Sequence, residues 1–358
     1  PTSCCSCSRT GSPTSAPPRA TPPSPSVSAF RTESGARTTD QQSMSTTYIR
    51  DEAMAEGLFK RLAARLPLSL RRHLFYLRDT GKWGNFRNPR TFGEKMQWRI
   101  INDQRRRLTY ASDRLAARDL VAKAVSGSQH TLHFPELLAY SETPETFIAV
   151  LRKLDRAGSL PSRWVVKPNN SSGQVLETNG EPDWRIIEQS VRRWQSSNRF
   201  KSLHWIPGYD RAREGFIAEA WVGPRDESPL QWECTVIQGS IVFYALTRRI
   251  NGIKERECRD ANWSLQPSWF HSSSSPIGLD TPPQHKNEID EIAKLVAQDW
   301  DFVRVDLYYA ASKVWFGEIT PYPFEGLVRT TVGGRIYDDR CGQLWTLPPI
   351  TKVGRDAT

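Results

Sequence analysis

The most constraining stretch of this 358-residue chain lies near its C-terminus, where Phe302-Val303-Arg304-Val305-Asp306-Leu307-Tyr308 is followed by Ser312-Lys313 and Val314-Trp315-Phe316-Gly317-Glu318-Ile319-Thr320. Arg304, Asp306 and Tyr308 alternate with Val303, Val305 and Leu307, a period of two that an extended strand turns into one polar and one apolar face. A turn through Ser312 makes the two segments a hairpin and brings Glu318 alongside Asp306. Two carboxylates on neighbouring antiparallel strands repel unless a divalent ion bridges them or one is protonated. From the residues alone two readings stay open: a Mg²⁺ site, or a solvated sheet face with an arginine–carboxylate pair.

Such a hairpin needs a core behind it, and composition says where the core can be. Residues 1–48 contain 11 Ser, 9 Thr and 7 Pro, types that cannot build one. This head is expected to be a disordered tail. Its Arg and Ser content resembles a transit peptide, but the chain starts at Pro1 and the first methionine is Met44. Residues 1–43 are therefore expected to be an over-extended reading frame or a processed fragment. The remainder is long enough for two lobes. It also holds most of the formal charge of +10, which suits an anionic partner.

Several classes drop out. No apolar run approaches the roughly 18 residues of a spanning helix, so no transmembrane segment is expected. Cys4, Cys5 and Cys7 lack partners at zinc spacing, and Cys234, Cys258 and Cys341 are scattered singly, as for reduced thiols inside a cell. No nucleic-acid-binding signature accompanies the basic charge, so nucleic acid is not an expected partner. His73, His130, His133, His204, His271 and His285 show no HExxH spacing.

Between head and hairpin the pattern alternates. Leu58, Leu62, Leu66, Leu68 and Leu70 among Arg and Ala predict one or two basic amphipathic helices, which pack on their own protein or meet a membrane periphery. Thr91 and Glu94 form a capping box that predicts a helix from Phe92 to about Asp103, and Ser112-Asp113 opens another. Arg163 to Lys167 is an apolar run ending in a cation, followed by the small-residue loop Asn169-Asn170-Ser171-Ser172-Gly173. Such a pairing suits a phosphate, or else a hairpin with a snorkelling lysine. Phe216 to Val222 reads as a strand, Trp232 to Leu246 as a hairpin, and Asn287 to Trp300 as a core-facing helix.

Taken in order, Lys167, the loop 169–173, Glu219-Ala220-Trp221-Val222, Glu233, Arg248, and Asp306 with Glu318 resemble the ATP-grasp enzymes. Asn88-Pro89-Arg90-Thr91-Phe92-Gly93-Glu94-Lys95-Met96-Gln97-Trp98, Asp113 to Arg118, Trp164 to Gly173, and the two hairpin strands resemble more closely the TupA-like ATP-grasp family, associated with teichuronopeptide and other surface-polysaccharide biosynthesis. The resemblance covers roughly residues 80 to 335. It implies an α+β ATP-grasp fold, two lobes clasping ATP, preceded by a helical N-terminal region. The divisions expected are 1–48 as tail, 49–158 as helical region, 159–225 as small lobe, 226–340 as C-terminal lobe and 341–358 as a second tail.

Residue by residue, the resemblance implies that Lys167 and Arg118 contact the ATP phosphates, with Asn169, Ser171, Ser172 and Gly173 in the phosphate loop. Glu219 and the backbone at Trp221 and Val222 would meet adenine, and Glu233 the ribose. Arg248 and Arg304 would neutralise charge during catalysis, and Asp306, Glu318 and Thr320 would bind Mg²⁺. Thr320 stands where many ATP-grasp enzymes have Asn, and Trp232-Glu233-Cys234 where TupA-like relatives tend to show Asp-Tyr-Lys.

The implied function is a cytoplasmic ligase using ATP and Mg²⁺ that activates a carboxylate as an acyl phosphate. An acidic sugar, a glycopolymer precursor or an amino acid would be its substrate. A kinase acting on a sugar hydroxyl uses the same ATP face. A non-catalytic glycan or anion binder would instead use the Trp residues, with Trp83, Trp98, Trp205, Trp263 and Trp269 as candidates for stacking on sugars. Arg71, Arg72 and Arg105 to Arg107 form an Arg-rich set that suits an acidic polymer.

Overall fold

The computed structural model describes residues 65–196, 206–223, 228–250, 253–269, 275–328 and 331–350. The expected disordered head, the first half of the basic helical stretch and Trp205 lie outside the described residues. Within them, the C-terminal hairpin is β10 (Phe302–Ala310) and β11 (Lys313–Thr320). Its turn is made by Ala311 and Ser312, both left-handed with φ of 52° and 56°, as a two-residue reversal between twisted strands requires. Arg304 lies opposite Thr320 and Asp306 opposite Glu318. The register shifts after Asp306, and there β11 comes close to β10. A Cβ on Gly317 would stand 2.8 Å from the Asp306 carbonyl oxygen and 2.9 Å from the Tyr308 ring, so glycine is needed at this bulge. On the other face Val303, Val305 and Leu307 are fully buried, each contributing about 1.5–3 kcal/mol.

Two sheets flank the site. The larger has seven strands in the order β1-β11-β10-β6-β7-β8-β9, adding β1 (Leu132–His133), β6 (Leu230–Ile237), β7 (Ser240–Ile250), β8 (Ile253–Asp260) and β9 (Leu265–Gln266). The smaller runs β2-β5-β3-β4, from β2 (Leu137–Ser141), β3 (Arg163–Pro168), β4 (Leu176–Asn179) and β5 (Phe216–Ala220). All pairings are antiparallel except β1 with β11.

Helices α1 (Leu68–Thr80), α2 (Phe92–Asn102), α3 (Arg106–Ser112) and α4 (Arg114–Val125) precede the sheets. The capping box of α2 is present: the Thr91 hydroxyl accepts from the Glu94 N–H, and the Glu94 carboxylate accepts from the Thr91 N–H. Helices α5 (Pro144–Arg156) and α6 (Trp184–Ser196) bury Phe147, Leu151, Ile187 and Val191 in the core of the small sheet. The short α7 (Pro207–Arg211) follows, while α8 (Lys286–Ala297) buries Ile289, Ile292 and Val296 in the large core, where α9 (Val332–Leu344) contributes Tyr337 and Cys341. The fold is therefore α+β, with helices packed on two antiparallel sheets.

Two sequence-based divisions shift. Strand β2 and helix α5 come from the stretch 49–158 yet complete the small sheet, because the outer side of β5 needs a strand to pair with. Residues 341–345 are not tail: they finish α9, and Trp345 is wholly buried against Arg99 and Phe302. Of the Arg-rich set Arg106 is exposed, and the other four are engaged within the protein. Arg72 is fully buried on Gln97 and Glu325, Arg105 is bonded to Asp103 and Asp301, Arg107 pairs with Asp299, and Arg71 donates to the Leu66 carbonyl. Among the described residues no helix is long and apolar enough to cross a membrane.

Candidate active site

On the large sheet, three carboxylates sit side by side on three adjacent strands. Glu318 on β11 and Glu233 on β6 both lie directly opposite Asp306 on β10. Arg304 is the fork between them. Its Nε donates to Asp306 Oδ1 and its Nη2 to Asp306 Oδ2, both at 2.7 Å. It also reaches Glu318 at 3.3 Å, Thr320 Oγ1 at 3.3 Å and Glu233 at 3.5 Å. Arg256 on β8 holds the other Glu233 oxygen at 2.7 Å. Burial pushes the Asp306 carboxyl up to about 7, with Glu233 and Glu318 reinforcing the push and Arg304 opposing it. Glu318 is only half-buried; desolvation opposes its ionisation, but Arg114 and Arg304 outweigh that and hold it below the usual range.

The small sheet faces this floor with the opposite balance. Glu219 on β5 accepts from Lys167 Nζ at 2.6 Å and from Arg118 Nη1 at 2.8 Å. Burial opposes its ionisation, and these two cations outweigh burial and lower it. Arg118 also donates to the Pro135 carbonyl at 2.7 Å.

The N-terminus of α4 ties wall to floor. Asp113 caps the helix by accepting from Ala116 N–H at 2.9 Å and is itself gripped by Arg213. Arg114 N–H donates to the Asn169 carbonyl and Leu115 N–H to Asn169 Oδ1, both at 3.1 Å. The Arg114 guanidinium donates to the Pro168 carbonyl at 3.1 Å, the Ser171 carbonyl at 3.0 Å and Glu318 at 2.9 Å. One side chain thus links the loop after β3 to an acid of the floor. The helix N-terminus that would attract an anion is satisfied by this loop.

Between the sheets lies a cavity of about 350 Å³, within the size range of ligand sites. Lys167, Gly173, Glu219, Trp221, Val222, Gln231, Thr247, Arg248, Tyr308 and Glu318 are among the residues lining it. The Thr247 hydroxyl there is buried without a hydrogen-bond partner among the described residues, a vacancy that a polar ligand would fill.

Most predicted residues therefore converge, though several in altered positions. Asn169 is locked between Leu115 and Arg213, so its amide is engaged in holding the loop. Ser171 is buried, while Ser172 is half-buried and Gly173, with φ of 74°, is exposed. Arg248 is drawn to Glu255 at 2.6 Å, across the β7–β8 pair. Glu233 is taken by Arg256 and Arg304 and does not line the cavity, unlike the ribose contact implied for it; Gln231, two residues earlier on the same face, does. The Trp221 ring lies over the Arg163 guanidinium, with 3.7 Å between guanidinium carbon and ring centre.

Sequence reasoning missed Arg114 and Arg256. Arg114 directly follows the Asp113 cap, a visible signal, whereas Arg256 stands in a stretch with no readable motif.

Among the described residues no three carboxylate, imidazole or thiol groups already converge as a metal cage. The donor set is Asp306 and Glu318 with the Thr320 hydroxyl, which donates to Glu318 at 3.1 Å. Hard oxygen donors are right for Mg²⁺, and Asp306 and Glu318 lie directly opposite one another on adjacent strands. The residues fit such an ion.

No curated protein matches the chain. Similar solved structures include D-alanine–D-alanine ligase from Bacillus anthracis complexed with ATP, 12% identical over 59% of this chain and 54% of that one, TM-score 0.36. The D-alanine–D-alanine ligase from Helicobacter pylori is 14% identical over 66% and 61%, TM-score 0.36. N5-carboxyaminoimidazole synthetase from Staphylococcus aureus is 12% identical over 67% and 53%, TM-score 0.36. The chain thus spans between about half and three fifths of the length of these structures. The family model described as TupA-like ATPgrasp matches residues 275–345, the segment that holds α8, β10, β11 and α9. That segment, with the charged face of its hairpin set against a second sheet, is what this chain shares with the TupA-like ATP-grasp family model.

Proposed function

We propose that the chain is a Mg²⁺- and ATP-dependent ligase that joins a carboxylate to an amine or related nucleophile through an acyl phosphate. Its place would be the cytoplasm, in the biosynthesis of a polysaccharide or cell-surface glycopolymer, with an acidic sugar, glycopolymer precursor or amino acid as substrate. The observation that carries the reading is the in-register pair Asp306 and Glu318, forked by Arg304, with Glu318 and Lys167 lining one cavity from opposite sheets.

In this reading the adenine edge lies along Ala220 to Val222. The N–H groups of Ala220 and Trp221 are already bonded to the Glu136 and Arg163 carbonyls, which leaves the Val222 N–H for the base. Gln231 and the unpartnered Thr247 hydroxyl take the ribose or the first phosphate. Lys167 exchanges its contact with Glu219 for phosphate oxygens, and the half-buried Ser172 and exposed Gly173 at the end of the loop offer backbone N–H groups. Asp306, Glu318 and Thr320 would hold Mg²⁺, whose part there would be charge neutralisation. Arg304, anchored by two bonds to Asp306, stays fixed while charge builds on the transferred group.

A substrate carboxylate oxygen then bonds to the γ-phosphorus as the bond to ADP breaks. The nucleophile's nitrogen next attacks the acyl carbon, inorganic phosphate leaves, and the ammonium proton passes to solvent. ADP and phosphate release, measured with uronates and acidic amino acids paired with amines, tests the proposal. Phosphate retained on a sugar product would make the chain a kinase. No thermal stabilisation by Mg·ATP at millimolar concentration would favour a non-catalytic binder.

A further inference from the structure

A second candidate site lies on the helical region, sharing no residue with the nucleotide cavity. It is an open groove of about 540 Å³ along α1 and the following loop. Of the five Trp residues considered for sugar stacking, Trp263 and Trp269 are only 6% exposed, whereas Trp83 is 58% exposed.

The loop presenting Trp83 is rigidly built. The Glu94 carboxylate accepts from the N–H groups of Asn85 and Arg90, both at 2.9 Å. Gly84 is so close to the Phe86 ring that a Cβ would collide with it. Phe86 meets Tyr76 edge-on at 5.4 Å and lies 4.0 Å from His73. His73 in turn stacks on Trp83 at 4.8 Å with 28° between the rings. Trp83 is thus backed on one face and open on the other. Around it, Asn85 spends its Oδ1 on Asn88 N–H, which leaves its amide donors, and Asn102 spends its Nδ2 on the Trp98 carbonyl, which leaves its Oδ1 acceptor. Arg87, exposed in the same groove, forms no ion pair among the described residues.

A flat aromatic face, planar amides with both donors and acceptors, and an unneutralised guanidinium are the chemistry that recognises a sugar ring bearing a carboxylate. The ring's C–H face stacks on the indole, the amides meet hydroxyls, and the guanidinium forks onto the carboxylate. We propose that this groove binds an acidic glycan and holds it on the protein separately from the nucleotide cavity. The site does not rest on the ligase reading and would survive that reading's failure.

The test is calorimetric titration of the full chain with tetragalacturonate and, in parallel, with maltotetraose, in the presence of saturating Mg·ATP analogue to occupy the other site. The acidic tetramer is expected to bind, and the neutral one about tenfold more weakly or not at all. Trp83→Ala is expected to lower the affinity about tenfold, Trp83→Phe to restore part of it, and Arg87→Gln to erase the preference for the acid. Unchanged melting temperatures show that these variants fold. Lack of saturation by tetragalacturonate at millimolar concentration, full affinity in Trp83→Ala, equal binding of both tetramers, or equal competition by inorganic polyphosphate would each overturn the proposal.

Discussion

Asp306 on the large sheet and Glu219 on the small one are both nearly inaccessible, 1% and 6% exposed, yet they are pushed in opposite directions. Asp306 rises to about 7, where burial is reinforced by two flanking acids. Glu219 falls, because two cations outweigh the same burial. Burial alone therefore does not decide the charge of an acid; the neighbours set by strand register do. In the proposed function the acids of the floor would meet a cation and the Lys167–Arg118 wall would meet phosphate.

The largest expected effect would break this contrast at the floor. Asp306→Asn should reduce ADP formation by on the order of a hundredfold or more, while Glu233→Gln, one strand further from Glu318, should cost about tenfold. Equal losses in steady-state assays would remove the special position given to Asp306. Next comes the wall. Glu219→Gln leaves Lys167 and Arg118 without their buried counter-charge and should destabilise the fold by about 3 kcal/mol in urea unfolding at neutral pH. Because its folded pKa is lowered, the stability Glu219 contributes is present above its unfolded value and is lost as pH falls through the folded one. The gap between parent and variant should therefore close in acid.

Arg114→Lys probes the link between the regions. A lysine cannot reach two carbonyls and a carboxylate at once, so hydrogen exchange at residues 169–173 should quicken and nucleotide affinity fall about tenfold. Unaltered exchange would deny Arg114 its hold on the loop.

The smallest effect lies outside both regions and isolates burial from charge. Asp338 accepts from Gly93 N–H at 2.6 Å, and burial pushes its carboxyl up to about 6. With the folded pKa raised, its contribution is complete below the unfolded value of about 4 and is lost as pH rises through 6. Asp338→Asn keeps the acceptor and should be more stable than the parent by about 1 kcal/mol at pH 8, with no difference at pH 4. A constant difference across that range would show that Asp338 stays ionised.

Legibility in the sequence followed locality. The hairpin face with Arg304, Asp306 and Glu318 could be read because a period of two and a short turn determine both face and partner. The capping box at Thr91 and the Asp113 cap are likewise complete within four residues. Glu233 was legible as a charged strand residue but not as a neighbour of Asp306, since the β6–β10 register spans seventy residues of chain. Arg248 and Arg256 show the same limit. Both stand on a basic hairpin, and only the cross-strand pairing reveals that Arg248 is drawn to Glu255 while Arg256 reaches the floor.

What the sequence determined by itself was therefore the set of ingredients: strand faces, helix starts, a family resemblance and a basic chain with separated acids. Tertiary structure decided which of these are free to act. It buried Arg72 and tied the half-buried Arg105 into ion pairs, locked Asn169 under α4, and left Trp83 and Arg87 open to solvent. The physical reason is that hydrogen-bond and ion-pair partners are taken by proximity in space, and periodicity carries that information only as far as the next turn.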